Sequence, residues 1–127
     1  MIVADTSVLV AALLGHEASA HALIGRRIVA PHLVDAELAH ALRRLSRTGE
    51  VPLEAAVSVL SSWQAFAIER LPMTGLLSRV WDLRESVSAY DAMFVAAAEA
   101  IGVPLVTADR RLTRAHGARC TFELIPQ

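Results

Sequence analysis

The sequence predicts an α/β fold, one domain on a mostly parallel central sheet with helices on both faces, and two observations carry that expectation. Short runs rich in Val, Ile and Leu alternate with segments of helical spacing along all 127 residues, the order that lays crossover helices over parallel strands. Glycine and proline fall at several joints between these segments, as at Gly49, Pro52, Gly102 and Pro104, where the chain must turn.

The elements follow in chain order. IVAD at 2–5 reads as a short buried strand, and Thr6 or Ser7 can cap a helix over SVLVAALL. Residues 17–26 have helical spacing and strong helix formers, and IVA at 28–30 is a second strand closed by Pro31. The next helix, beginning near His32, carries Val34, Leu38, Ala41, Leu42 and Leu45 on one face. It stops near Thr48-Gly49, with Arg43, Arg44 and Arg47 in its last turns, where cations suit the helix dipole. Pro52 starts a helix running to about Phe66. AIERL at 67–71 is a strand candidate, 74–86 a helix, and Ser88 the cap of AYDAMFVAAAEAIG. PLVTAD at 104–109 is a strand ending in an acid, RRLTRAHG a short helix and TFELI at 121–125 a last strand.

Composition narrows the function classes. The chain is 54% hydrophobic and 20% charged, on the apolar side of globular averages, so some apolar surface should be left for a partner. No apolar run reaches the roughly 18 residues of a membrane span, and the amino terminus lacks a signal-peptide pattern, so a cytoplasmic location is expected. The lone Cys120 excludes an internal disulfide framework and any CxxC motif. A net charge of −1 gives no global electrostatic footprint for nucleic acid. All 12 basic residues, however, are arginine, each able to grip a phosphate in bidentate fashion. The absence of lysine excludes a Walker A loop and Schiff-base chemistry.

The acids carry the functional argument. In a parallel sheet the carboxyl ends of the strands share one edge, where ligands bind. Asp5 and Asp109 close strands at that edge, and Glu37 and Asp91 lie in opening turns of helices whose amino termini point to it. Two carboxylates about 4 Å apart repel by roughly 4 kcal/mol at an effective dielectric near 20, comparable with the whole stability of a small domain. A converging set therefore calls for a cation or a proton. All-oxygen ligands select Mg²⁺ or Mn²⁺, and such ions activate water and clamp phosphoryl oxygens. Metal-dependent phosphodiester hydrolysis is the expected chemistry.

IVADTS, the acid of PHLVDAELAHALRR, and SAYDAMFVAAAEAIGVPLVTADRRL, in that order, resemble a PIN domain of the VapC toxin kind, and the likeness spans nearly the whole chain. The resemblance implies that Asp5, Glu37, Asp91 and Asp109 form the metal site of an endoribonuclease. It also implies an antitoxin encoded beside it and a homodimer. Thr6, Ser7 and Thr107 flank the acids and could position a water or carboxylate, or equally serve as turn and cap residues; the resemblance favours the first role for Thr6 and Thr107. Arg43, Arg44 and Arg47, with Arg110, Arg111 and Arg114, are candidates for a phosphate rim, Arg110 foremost because it follows Asp109. Asp35, about 200° of helical rotation from Glu37, reads as solvated or dipole-complementing. Trp63, Trp81 and Phe66 suit core or partner-groove packing. Two other functions compete. A Mg²⁺ phosphatase or receiver domain would use a lysine that this chain lacks, and a catalytically silent module would use the acidic edge only to recruit a basic partner.

Overall fold

In a computed structural model describing Met1 through Gln127, the strand runs are short and all parallel. They are β1 (Ile2–Ala4), β2 (Ile28–Pro31), β3 (Glu69–Leu71), β4 (Leu105–Thr107) and β5 (Phe122–Leu124), in the order β3-β2-β1-β4-β5. The central strands β1, β2 and β4 are buried along their whole length. That is why they read as unbroken apolar runs rather than alternating ones.

Between β1 and β2 lie α1 (Thr6–Leu13) and α2 (Glu17–Leu23), and between β2 and β3 lie α3 (Val34–Arg47) and α4 (Leu53–Gln64). Between β3 and β4 come a turn of 3₁₀ helix (Thr74–Leu76), α5 (Leu77–Asp82) and α6 (Ala89–Ile101). Helix α1 packs against α2, α3 and α4, whereas α6 packs against α5, β1, β2 and β4. Right-handed crossovers place these groups on opposite faces, because the chain steps one way from β1 to β3 and the other way from β3 to β4. The predicted α/β architecture is therefore found. The core gathers Ile2, Leu9, Leu38, Leu42, Phe94 and Leu105 with the other central-strand residues.

Several boundaries differ from the sequence reading. Asp5, not Thr6 or Ser7, is the N-cap of α1. Helix α2 ends at Leu23 rather than 26, since the backbone leaves the helical region at Ile24, with ψ 132°, and Gly25 follows with φ +73°. The predicted 74–86 helix begins as 3₁₀ and stops at Asp82. RRLTRAHG makes only a 3₁₀ turn, Leu112–Arg114, being too short to offset the cost of helix nucleation. Strand β4 ends at Thr107, leaving Asp109 in the turn beyond it.

This order places a switch point between β1 and β4: β1 connects toward β2 on one side, and β4 connects toward β5 on the other. In open α/β sheets the crevice at such a point is where ligands bind.

Candidate functional site

Asp5 occupies that crevice. Its backbone is still extended, its carboxylate accepts the Val8 N–H at 3.2 Å, and α1 starts from it. The same carboxylate receives Ser7 Oγ on Oδ1 and Thr107 Oγ1 on Oδ2, each at 2.5 Å. One residue thus ends β1, caps α1 and is bound to the end of β4. It is only 6% exposed. Burial pushes its pKa up from 3.8 to about 6, although all three hydrogen bonds favour the charged form, and the negative charge of Asp91 adds to the rise.

Glu37 lies in the first turn of α3 and accepts Thr6 Oγ1 at 2.8 Å. Burial raises its pKa, Asp91 reinforces the shift, and Thr6 and His40 oppose it. Asp91 lies in the first turn of α6, its N–H donating to the capping Ser88 Oγ at 3.2 Å. Its pKa is raised by burial and then by Asp109, against Arg111 and Ser88. Asp109 is held by its own turn. Its N–H donates to Thr107 Oγ1 at 3.0 Å, while its Oδ1 accepts the Arg111 N–H at 2.9 Å and stands 3.5 Å from Arg111 Nε.

All of Asp5, Glu37, Asp91 and Asp109 line one cleft of about 450 Å³. Thr6, Ser7, His40, Arg44 and Arg111 line it too. Thr107 sits beneath, fully buried. Of the rim arginines, the structure brings Arg44 and Arg111 to the cleft and leaves Arg43, Arg47, Arg110 and Arg114 out of its lining. Asp35 stands apart and is neither merely solvated nor a simple helix-dipole partner. Arg70 grips it through Nε and Nη2 at 2.7 Å each, and Trp63 Nε1 donates to it at 2.8 Å. Trp63 is buried as expected, but Trp81 is 67% exposed with Arg84 stacked over its ring.

Two cleft residues go beyond the sequence reading, Ser7 in its contacts and His40 in its place. Ser7 joins both edges of the switch point, donating to Asp5 while its Oγ accepts the Ala108 N–H at 3.0 Å. Only the fold shows that contact, because the partners are about a hundred residues apart. His40 shares the cleft with Glu37 at i,i+3 spacing on α3, a pattern readable in principle.

No three of these acids close on one another as a finished ligand set. The donor chemistry nevertheless fits a hard divalent ion. The ligand atoms are all oxygens, several of the carboxylates are raised by burial and by one another, and Mg²⁺ keeps several waters and needs only one or two direct carboxylates.

The PIN domain profile matches residues 2–118. Ribonuclease VapC9 of Mycobacterium tuberculosis is 40% identical over 127 residues, with all of both chains covered. Ribonuclease VapC1 of the same organism is 41% identical over 128 residues, covering 97% of this chain and 96% of the relative. Among solved structures, VapBC-5 of Mycobacterium tuberculosis, a member of the VapBC family of toxin-antitoxin systems, superposes with a TM-score of 0.62 at 26% identity, covering 98% of this chain and 97% of its own. The chain therefore belongs to the PIN domain family and, within it, to the VapC ribonucleases. Beyond the family, no helix of the structure is long and apolar enough to cross a membrane.

Proposed function

We propose that the whole chain, residues 1–127, is one endoribonuclease domain, the toxin of a toxin–antitoxin pair, which hydrolyses RNA with Mg²⁺ or Mn²⁺ held among Asp5, Glu37, Asp91 and Asp109. The observation that carries this reading is the convergence of these acids in one cleft at the switch point, with Asp5 buried and no arginine holding it. When bound, such an ion supplies an activated water and offsets charge on the phosphoryl oxygens. The protein's own part is positioning. Ser7 and Thr107 fix both oxygens of Asp5, Thr6 fixes Glu37, and the Thr107 hydroxyl fixes the turn that carries Asp109. Arg111, its side chain 91% exposed beside Asp109, is placed to meet a phosphate. In the reaction water oxygen bonds to phosphorus, one ester oxygen departs, and the proton released by water ends on that alcohol.

Leu53 and Val57, one turn apart on α4 and both exposed, offer an apolar stripe for an amphipathic antitoxin helix. Leu77 and Trp81, equally spaced on α5 and exposed, suit a homodimer contact. The deciding experiment is incubation of antitoxin-free protein with total cellular RNA, with and without Mg²⁺ or Mn²⁺, followed by mapping of new ends. Defined new ends that vanish in EDTA are expected. RNA left intact with both metals would overturn the reading.

A further inference from the structure

Helix α3 carries a line of side chains along the cleft that the metal site does not use. Relative to Glu37, Arg44 is seven residues on, within about 20° of the same direction and roughly 10 Å further along the axis. His40 lies between them. Both line the cleft with Glu37, and both are exposed. Arg26, Arg70 and Arg79 are each held by a carboxylate at hydrogen-bonding distance. Arg44 has no such partner, despite sharing a cleft with several acids. Helical side chains lean toward the amino terminus, which for Arg44 is the direction of the His40 turn and Glu37. Dipole complementation at the end of α3 does not account for this placement. Arg47, in the same last turn, serves that end equally, yet it does not line the cleft.

The sheet order supplies a direction. Glu37 follows β2 and Asp109 follows β4, strands on opposite sides of β1 and hence of Asp5. Arg111 stands on the β4 side, and His40 with Arg44 on the α3 side. Beside the His40 imidazole, the only ring in the cleft lining is that of Phe94, which is buried in the core, so no exposed Phe, Tyr or Trp lines the cleft as a stacking platform.

Resting on the nuclease reading above, we propose that RNA crosses the acids from the β4 side to the α3 side, and that His40 and Arg44 hold the backbone phosphate next to the one being cleaved. They are binding residues for the sugar–phosphate backbone and carry no base readout.

The test scores binding rather than cleavage, so its outcome is separable from that of the nuclease reading. Asp91→Asn protein is titrated against a fluorescein-labelled, unstructured RNA of about 12 nucleotides, and anisotropy is followed from about 50 to 200 mM KCl, a range over which phosphate contacts are resolved. In that background Arg44→Ala should weaken binding about tenfold at the lowest salt and reduce the slope of log K against log salt by about 0.7, the loss of one contact to a single strand. His40→Ala should weaken it about threefold. Arg43→Ala, on the same turn but outside the cleft, should stay within about twofold with the slope unchanged. Equal effects of Arg43→Ala and Arg44→Ala, an unchanged slope for Arg44→Ala, or no binding by the parent protein would each overturn the proposal. His40 and Arg44 are exposed, so the variants should melt with their parent.

Discussion

Two groups of carboxylates in this small domain are treated in opposite ways. Asp35, Glu99 and Glu123 are each clasped by an arginine. Arg70 lowers the pKa of Asp35, Arg26 lowers that of Glu123, and for Glu99 burial alone would raise it but the Arg79 side chain and the Arg119 N–H reverse the sign. Asp5, Glu37 and Asp91 meet mainly hydroxyls, backbone N–H groups and one another, and all three are raised. The chain is not short of arginines to pair them with. Arginine neutralises the acids that join elements and leaves Asp5, Glu37 and Asp91, three of the acids proposed to hold a cation, without such a partner, so on that proposal the direction of these shifts separates structural acids from working ones.

The sharpest break of that comparison is in activity. Asp5→Asn, Asp91→Asn and Asp109→Asn, with Glu37→Gln, should each reduce metal-dependent RNA cleavage at least about a hundredfold, the scale on which a charge-stabilising group is lost from an active site. Initial rates on a mapped RNA at saturating Mg²⁺ provide the measurement. Undiminished cleavage by Asp91→Asn would remove that acid from the working group.

Stability should divide the groups next. With its pKa raised to about 6 from 3.8, ionised Asp5 costs the metal-free fold about 3 kcal/mol. Its folded pKa lies above the unfolded one, so the contribution is fully present below pH 3.8 and is lost as pH rises through about 6. The arginine-paired acids have the opposite sign, and their contribution is lost only as pH falls below the ordinary carboxylate range. Wild type in EDTA should therefore melt lower at pH 7 than at pH 5, and Asp5→Asn should narrow that gap. An equal gap in the variant would mean that Asp5 is not the strained group.

Metal should reverse the cost. A divalent ion that binds only the folded protein stabilises it by about 2.7 kcal/mol at a hundredfold excess over Kd. Asp91→Asn, which removes one of the repelling charges, should melt above wild type in EDTA and gain less from Mg²⁺. Melting well below wild type in EDTA would instead make Asp91 a stabilising helix-start acid.

How far the sequence reveals this division depends on where the cause lies. Alternation of apolar runs and helical segments is local, so the fold class and most elements are legible, and so are acids at strand ends and helix starts. Segments below nucleation length are not: RRLTRAHG has helical composition yet forms only a 3₁₀ turn at Leu112–Arg114. Pairings across the fold are also hidden. Nothing local shows that Trp63 and Arg70 both reach Asp35, or that Ser7 meets Ala108. For the same reason Arg110 looked the better phosphate ligand from its place beside Asp109, whereas the turn directs Arg111 to the cleft.

Asp35 gives the smallest effect and the closest test, because it shares the first turn of α3 with Glu37. Asp35→Asn should leave RNA cleavage within about twofold of wild type, since its carboxylate faces Arg70 and Trp63 rather than the cleft. It should cost about 1 kcal/mol of stability. The ion pair is partly exposed, which keeps its own contribution small, but Trp63 is buried and its indole N–H would lose the strength of a charged acceptor. The pH sign follows from the lowered pKa of Asp35. Its contribution is present above pH 3.8 and disappears as pH falls through the depressed value, so wild type and variant should converge in acid and differ at neutrality. Denaturant melts at pH 7 and near pH 3 measure this. A Glu37→Gln protein carried alongside should show the reverse pattern, inactive but no less stable in EDTA; if the two substitutions behave alike, the direction of the shift does not distinguish the acids of α3.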